Sequence, residues 1–369
     1  MDVTVGLSGA EINGDTNAAV QAAIDRAAAT GGGTVTLLPG TYTIWDRIVM
    51  RTDTKLAGSG DETILQMPDG WEAALWEDGD WGNVWASCDS LPPVKVGHGV
   101  HLYSGRDRGW NSTVGTVLEI RESRVRVSQP FNGNHMVQDK ARISSAHSII
   151  DVEDAEHVSI SDLVIDGNAA KNFRADGCRG GAIHGLRSHN VTVTGVTVRD
   201  FNGDAISFQS SDDWTIENCV TEDNAGHGLH PGTGAQRPVI RGCISRRNGN
   251  CGMYVCWRVQ HGVFEDSRFE ENTIAGISIG HKDSDNVFRR NRIINNTGPG
   301  IRNRKEKAPM CADRCVYESN VIQGNNGGGP QVVLDGEVRD LVFRDNTYDD
   351  APRFEVGPDV ANLTAEEGC

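Results

Sequence analysis

The sequence predicts an all-β solenoid whose coils each span 23 or 24 residues. Three series of residues recur at that spacing. A small residue followed by an apolar one returns at intervals of 23, 23, 24, 24 and 24 residues: Ala182-Ile183, Ala205-Ile206, Gly228-Leu229, Gly252-Met253, Gly276-Ile277 and Gly300-Ile301. A second apolar position repeats through Val193, Ile216, Ile240, Phe264, Phe288, Tyr317 and Phe343. An asparagine precedes each new coil at Asn202, Asn224, Asn248, Asn272 and Asn296.

The composition agrees with short strands rather than helices. The 369 residues include 44 glycines and are 37% hydrophobic but only 6% aromatic, which suits a large core but is too polar and glycine-rich for a helical bundle. The glycines follow no three-residue period, which excludes collagen. No segment within a repeat is periodic enough for a helix, so each coil holds two or three short strands separated by polar or glycine turns.

Such coils bury their apolar faces only by stacking on one another. At a strand spacing of about 4.8 Å, equivalent residues form ladders, in which apolar columns face the core and asparagine side chains bond to each other and to turn backbone. Cys219 and Cys243 occupy the same position in successive coils, which predicts two neighbouring inward-facing thiols.

The N-terminal segment carries a further signal. Asp15-Thr16-Asn17 leads an alanine-rich amphipathic stretch to about Ala29, and Gly31-Gly32-Gly33-Thr34-Val35 and Leu38-Pro39-Gly40-Thr41-Tyr42 follow. With the repeats, this pattern resembles the pectate-lyase-like superfamily of right-handed parallel β-helix proteins. The resemblance implies a right-handed parallel β-helix whose first coil is capped by a helix. Asp15 suits the N-cap of that helix, and its alanines would cover the open sheet end.

The resemblance covers residues 10–65 and 148–350, and the stretch between them lacks the period. We therefore expect a cap helix and first coils in 1–65, an insertion with a small β element in 66–147, and the main β-helix with its C-terminal cap in 148–369. The insertion is rich in tryptophan: Trp71, Trp76, Trp81, Trp85 and Trp110. These rings either stack on sugar faces or form a satellite core.

Charge and hydropathy limit the classes of partner that the protein is expected to bind. Thirty-five basic and 51 acidic residues give a formal net charge of −16, which argues against general nucleic-acid binding. No stretch approaches the roughly 20 apolar residues of a membrane span. Residues 1–30 show no signal-peptide pattern, so the expected location is secreted if a leader has been trimmed and cytoplasmic otherwise. The sequence does not indicate an oligomeric state.

Nine cysteines show neither a CxxC pair nor a zinc signature, and a fold of this size does not need disulfides. We expect mostly free, buried thiols. The exceptions left open are Cys311, Cys315 and the terminal Cys369.

Strand alternation predicts which residues leave the first sheet of each coil. One outward column is His184, Ser207, His230, Tyr254, Ser278 and Arg302, and a second is Leu186, Gln209, Gly232, Cys256, Gly280 and Arg304. The bordering turns hold Trp257-Arg258, His281-Lys282-Asp283 and Lys305-Glu306. Cations clustered on an acidic protein favour an anionic ligand. Because the superfamily binds acidic polysaccharides along this face, the resemblance implies a uronate-containing glycan as the partner.

Eliminative cleavage of a uronate needs a group that neutralises its carboxylate, a base for the C5 proton and an acid for the leaving oxygen. The candidates are Arg258 or Lys282 as neutraliser, His230 or His281 as base, and Tyr254 as acid. The neighbouring side chains are expected to contact the substrate: His184, Gln209, Trp257, Arg302, Arg304 and Lys305. The leading hypothesis is therefore a polysaccharide lyase.

Other functions stay open. Asn202-Gly203-Asp204 and Gly226-His227-Gly228 resemble parts of polygalacturonase motifs, although a second adjacent aspartate is missing. An inverting glycoside hydrolase would use Asp204, with Asp176 as its companion. A uronate C5-epimerase would share the lyase machinery. A noncatalytic glycan-binding β-helix would depend on the tryptophan insertion instead.

Calcium is the one cofactor that the sequence leaves open. Lyases of this superfamily use it to bind substrate carboxylates, and Asp212-Asp213 and Asp283-Ser284-Asp285 offer oxygen ligands. The same aspartates also suit a structural role, capping backbone amides in turns. No complete coordination motif is readable.

Overall fold

The computed structural model describes residues 1–106 and 108–365, and it confirms the predicted fold class, a parallel β-helix. Three long parallel sheets run along the solenoid, and successive coils add one strand to each. The sheet that carries the predicted outward columns, called the column sheet below, has ten strands: Ile48–Val49, Ile150–Glu153, Gly181–Leu186, Asp204–Gln209, Leu229–Pro231, Cys251–Tyr254, Ala275–Ile279, Ile301–Asn303, Val332–Leu334 and Phe354–Val356.

The other two sheets complete each coil. One has thirteen strands: Val3–Gly6, Ile12–Asn13, Gly33–Leu37, Thr54–Ala57, Ser159–Ser161, Thr192–Thr194, Thr215–Glu217, Val239–Arg241, Val263–Glu265, Val287–Arg289, Val316–Glu318, Val342–Arg344 and Thr364–Ala365. The other has ten: Gly40–Thr43, Thr63–Gln66, Val164–Asp166, Thr197–Arg199, Val220–Glu222, Ile244–Arg246, Arg268–Glu270, Arg292–Ile294, Val321–Gln323 and Thr347–Tyr348.

The predicted register of the apolar columns is confirmed. In the column sheet, Ile206 pairs with Leu229, and Met253 pairs with Ile277. In the thirteen-stranded sheet the aromatic positions stack along the core, with ring centroids 4.9, 4.8 and 4.4 Å apart through Phe264, Phe288, Tyr317 and Phe343. The spacing equals the rise from strand to strand, so one buried column runs through successive coils.

A ladder of buried asparagines joins successive turns, as the repeat predicts. Asn224 donates to Asn248, Asn248 to Asn272, and the chain of side-chain bonds continues through Asn296 at 3.0 Å per step. Asn202 was wrongly included in this series. Phe201 occupies the equivalent rung, since its backbone N–H donates to Asn224, while Asn202 bonds to the Asn172 carbonyl.

The predicted N-terminal helix spans Asn17–Ala29. It buries Val20, Ala23, Ile24 and Ala27 against the first strands. The expected N-cap was wrong by one residue, because Thr16 and not Asp15 has the extended N-cap backbone, and its side chain makes no capping bond. The backbone of Asp15 accepts a bond from Thr43 instead, which ties the helix start to the first coil.

The tryptophan-rich stretch folds into a six-stranded antiparallel sheet: Glu72–Ala74, Trp85–Ser87, Gly99–Tyr103, Thr113–Arg121, Arg124–Val127 and Arg142–Ser144. This sheet has a hydrophobic core of its own, against which Trp71 packs. Trp76 and Trp81 are exposed. The sheet stands beside the solenoid, and the loop between its third and fourth strands brings Trp110 to the column sheet.

The eight cysteines within the described residues are free, including Cys311 and Cys315. Cys219 and Cys243 are both buried in the core, as the repeat predicts. Cys369 lies outside the described residues. None of the described helices has the length and apolar character needed to cross a membrane.

Candidate functional site

A cavity of about 500 Å³ opens over the middle of the column sheet. Strand pairing aligns His184 with Ser207 and Ser207 with His230, and places Tyr254 beside Ser278, as the alternation predicts. The cavity walls combine two carboxylates, two imidazoles, a phenol and four cations: Asp176, Asp204, His227, His230, Tyr254, Arg174, Arg302, Arg304 and Lys305. Adjacent coils thus bring acid–base groups and positive charge to one place.

Asp204 and His230 form a buried ion pair at the base of this cavity. Nδ1 of His230 donates to Oδ2 of Asp204 at 2.7 Å, and the side chains are 7% and 8% exposed. Burial alone would lower the pKa of His230, but the bond to Asp204 and the nearby Cys256 thiol raise it to about 9. Burial would likewise raise the pKa of Asp204, yet the adjacent His227, whose backbone N–H donates to the carboxylate at 2.8 Å, and the bond from His230 hold it well below its ordinary value. The carboxylate therefore stays charged and fixes the imidazole with Nε2 free of it.

His227 and Tyr254 stack beside the pair. Their ring centroids lie 4.2 Å apart with the planes 15° from parallel, and Tyr254 meets His230 edge-on at 5.2 Å. Burial lowers the pKa of His227 to about 4, so its ring is neutral, and Nδ1 accepts the Cys251 backbone N–H at 3.2 Å. Burial is also the largest cause that raises the pKa of Tyr254 above its ordinary range, against the opposing effect of Arg304. The phenol therefore keeps its proton at neutral and moderately alkaline pH.

Arg302 and Arg304, the last residues of the two outward columns, supply positive charge to the cavity. The Arg304 guanidinium lies over the Tyr254 ring at 4.4 Å and donates to Ser278 Oγ and the Val255 carbonyl. Arg302 and Lys305 line the same cavity and are exposed. One cation that is held by hydrogen bonds and two exposed ones thus line the cavity of the Asp204–His230 pair.

A second cavity of about 440 Å³ adjoins the first and shares His230, Tyr254 and Cys178 with it. Its lining is more aromatic, since Trp110 and Trp257 contribute to it. The predicted substrate contacts Gln209 and Trp257 lie here, as does Arg258. The structure therefore places Arg258 beside the site but away from the cavity that holds the other cations.

Three predicted site residues line neither cavity. His281 is held at both nitrogens, by Glu306 at 2.7 Å from Nε2 and by the Cys256 thiol at 3.2 Å from Nδ1, and its ring stacks on Trp257. Lys282 points into solvent from the same turn. His184 lies in a separate pocket of about 60 Å³, where Nδ1 is 3.3 Å from Asp151. The structure does not bring these three to the Asp204–His230 pair.

Asp176 and Asp204 line the same cavity, as the hydrolase alternative requires. Oδ2 of Asp176 accepts the Gly109 N–H at 2.8 Å, which links the cavity to the insertion. Gly177 packs directly against the Asp204 carboxylate, and a Cβ at this position would overlap it.

The aspartates considered as calcium ligands are engaged in ion pairs or hydrogen bonds with other residues of the chain. Arg237 pairs with Asp212 and Asp213, and Arg314 pairs with Asp285. Asp283 is fully buried and accepts the Val259 N–H. Within the described residues, no cluster of three or more acidic, histidine or cysteine side chains is arranged to hold a metal ion.

His227, Arg174, Asp176 and Trp110 join the site without having been predicted as central members. His227 precedes its strand, and the other three come from turns and from the insertion, where the 24-residue period gives no guide. The partial motif Gly226-His227-Gly228 pointed to His227, the hydrolase alternative named Asp176, and the tryptophan-rich insertion included Trp110, whereas Arg174 had no sequence signal.

Comparison with known proteins identifies the architecture. The family model described as the right-handed beta helix region matches residues 127–255 and 181–348. No curated protein matches the sequence.

Several solved structures resemble this protein along most of its chain. The Azotobacter vinelandii mannuronan C-5 epimerase AlgE6 A-module superposes with a TM-score of 0.55 at 14% identity, covering 96% of each chain. A Thermotoga maritima exopolygalacturonase gives a TM-score of 0.57 at 12% identity, covering 98% of this chain and 91% of its own. ORF18 of Geobacillus virus E2 gives 0.60 at 14% identity, covering 98% and 59%. At such identities the likeness shows the fold.

Proposed function

This chain belongs to the family of right-handed β-helix proteins, and we propose that it is a lyase that cleaves a uronate-containing polysaccharide by β-elimination. The observation that carries the proposal is the Asp204–His230 pair, which shares one cavity with the Tyr254 phenol and with several cations. These are the three kinds of group that elimination requires. The chain carries a net charge of −16, so this local cluster of cations is the surface suited to an acidic ligand.

The substrate carboxylate binds to Arg302 and Arg304. The exposed Arg302 offers forked donors that match carboxylate geometry, and Arg304, whose terminal nitrogens hold Ser278 and Val255, adds positive charge in the same cavity as His230. Neutralising the carboxylate makes the adjacent C5 proton more acidic, because negative charge develops on that group as the proton leaves. They replace Arg258 and Lys282, the neutralisers expected from the sequence.

His230 removes the C5 proton. Its Nδ1 is committed to Asp204, so Nε2 is the atom that accepts a proton, and the substrate must displace the Cys256 thiol, which also bonds to His230. With a pKa raised to about 9, the ring is cationic at neutral pH and becomes a base as the pH rises through that value. Activity therefore increases toward alkaline pH.

Tyr254 donates its proton to the leaving glycosidic oxygen. Its raised pKa keeps the phenol protonated over the range in which His230 becomes a base. Stacking on His227 and contact with Arg304 fix the ring. The two proton-transfer groups are thus in opposite and complementary states at the same pH.

Ultraviolet absorbance of the unsaturated uronate product tests this assignment across a panel of acidic polysaccharides, with and without a calcium chelator. We expect the absorbance to rise for at least one polyuronate, and His230→Gln and Tyr254→Phe each to lower kcat by about 10²–10⁴-fold. Lys282→Gln, at an exposed site outside both cavities, is the matched control and should retain activity. New reducing ends without absorbance would contradict elimination.

Hydrolysis is the second candidate, because Asp176 and Asp204 line one cavity. An acid and a base flanking one glycosidic bond would suffice. Asp204 is less suited to either role than Asp176, since it is buried and paired with His230. Asp176→Asn separates the two candidates: it should abolish reducing-end release by a hydrolase, whereas the lyase keeps its proton-transfer groups. Deuterium uptake at C5 without cleavage would indicate epimerisation.

A further inference from the structure

The thiol of Cys256 lies among cationic side chains at the wall of the second cavity. The residue is 9% exposed and lines the cavity beside Trp257. Its Sγ is 3.2 Å from Nδ1 of His281, and His230 also bonds to it. The proposed elimination assigns no step to this sulfur. Its position thus calls for a separate explanation.

Cys256 differs from the other described cysteines that line the two cavities, which are Cys178 and Cys251. Burial raises the pKa of each of those two thiols to about 12. Burial also disfavours the Cys256 thiolate, but the bonds from His230 and His281 and the charge of Arg304 outweigh it and lower its pKa to about 6. Among the described cysteines that line the cavities, Cys256 is therefore the one whose pKa is lowered, so its thiol loses its proton most readily.

The cationic side chains beside Cys256 are held by hydrogen bonds and ion pairs. His281 is bonded to Glu306 through Nε2, which favours the imidazolium form that donates to sulfur. Nη2 of Arg304 lies 3.3 Å from Nδ1 of His281, where its charge opposes the imidazolium form, but the bond to Cys256 outweighs it and raises the pKa of His281. Burial raises the pKa of the neighbouring Asp283 to about 7. The titratable and charged groups that face Cys256 come from four coils and one turn: Cys178, His230, Tyr254, His281, Asp283 and Arg304.

We propose that Cys256 is a covalent modification site, at which peroxides form a sulfenic acid and soft electrophiles alkylate the sulfur. The cation cluster stabilises the thiolate, and the adjoining space of about 440 Å³ admits a small reagent. With hydrogen peroxide, the thiolate sulfur attacks one oxygen, an S–O bond forms, the O–O bond breaks and hydroxide leaves. Sulfur loses two electrons and the peroxide gains them. A small thiol then condenses with the sulfenic acid to a mixed disulfide and water, and a second thiol displaces Cys256 as the thiolate and forms the small-molecule disulfide.

Modification blocks the site next to it. The second cavity shares His230 and Tyr254 with the first, so an added oxygen or alkyl group lies beside the acid–base residues. It also removes the negative charge that helps to raise the pKa of His230. This inference concerns the thiol itself and does not depend on which glycan the protein acts on.

The test is the rate of labelling of each cysteine in the full-length folded protein, followed by peptide mass spectrometry. Iodoacetamide should label Cys256 several-fold faster than Cys178 at neutral pH, and its half-maximal rate should fall near pH 6. Hydrogen peroxide with dimedone should trap a sulfenic acid at Cys256. Cys256→Ser should remove both signals, and the matched variant Cys178→Ser should keep both.

His281→Gln should move the half-maximal labelling of Cys256 to higher pH, because it removes a donor to the thiolate. Denatured protein provides the positive control, in which every cysteine reacts. The proposal is overturned if Cys256 in the folded protein labels no faster than Cys178, or if its half-maximal pH lies in the ordinary thiol range. The wild-type time course decides the matter even where a variant fails to fold.

Discussion

At the scale of single residues, the buried pair of Asp204 and His230 organises the site. An ionised carboxylate at 2.7 Å from Nδ1 fixes the ring orientation and raises its affinity for a proton. In the proposed elimination Tyr254 has the opposite requirement, a retained proton, and burial favours it by raising the pKa of the phenol. Two groups on neighbouring strands are thereby tuned in different ways by their surroundings.

Asp204→Asn should lower kcat by about 10²–10⁴-fold, because the amide neither stabilises the imidazolium nor holds Nδ1–H in the same way. The pKa of His230 should fall from about 9 toward its ordinary value. Histidine NMR titration measures this directly. A variant with an unchanged His230 pKa would show that Asp204 is not the cause of the shift.

Gly177→Ala should damage the site without unfolding the chain. The new methyl group would overlap the Asp204 carboxylate and displace it from His230. We expect a loss of kcat with a small change in melting temperature. Gly180→Ala, in the same loop and with its nearest neighbour at 3.6 Å, is the matched control and should keep activity. Equal losses in both variants would contradict this explanation.

At the scale of elements, the ladders hold the coils together. Asn248 is fully buried, donates to Asn272 and to the Thr221 carbonyl, and accepts the Asn224 N–H. Each such side chain satisfies turn backbone that would otherwise be buried without a partner. The turns are fixed from one coil to the next, which keeps the outward columns in register.

Asn248→Ala should lower the free energy of unfolding by about 2 kcal/mol or more, because buried groups on both neighbouring coils lose their partner. Asn202→Ala is the control, since Asn202 lies outside the ladder and makes one bond, to the Asn172 carbonyl. Denaturant unfolding of both variants checks the difference. A loss for Asn202→Ala as large as that for Asn248→Ala would contradict the role given to the ladder.

The repeat of 23 or 24 residues made the strands predictable, and the alternation of side chains along each strand made part of the candidate site predictable. Alternation along each strand put His230, Tyr254 and Arg302 on the outward face, because the repeat fixes which residues point inward. The turns have no such period. His281 lies outside both cavities and bonds to Glu306 in a turn of the next coil, a contact that the alignment of strands does not reveal.

At the scale of the whole molecule, stacking creates one long face on which residues distant in sequence meet. Asp176 and Lys305 lie 129 positions apart in the chain, as their numbers show, yet line one cavity. The insertion adds Trp110 from outside the repeat. Contributions of this kind depend on three-dimensional packing, which explains why the sequence pattern predicted the outward columns better than the full site.

The uneven charge of the molecule also has a measurable consequence. The chain carries −16 overall, whereas the candidate site gathers Arg174, Arg302 and Lys305, all exposed. Raising the salt concentration should lower kcat/KM for an acidic polymer through screening of these cations. Arg302→Gln should lower kcat/KM at low salt and reduce its salt dependence. A kcat/KM that rises with salt would contradict binding by this cluster.

The most direct test of the central claim is the pH profile of the initial elimination rate on a responsive polyuronate. With His230 as base, kcat/KM should rise with pH and reach half its plateau near pH 9, since the imidazole of the free enzyme loses its proton there while Tyr254 keeps its own. Asp204→Asn should move this midpoint to lower pH. A wild-type profile that instead peaks in the acidic range of carboxyl groups would contradict the account and assign the chemistry to Asp176 and Asp204.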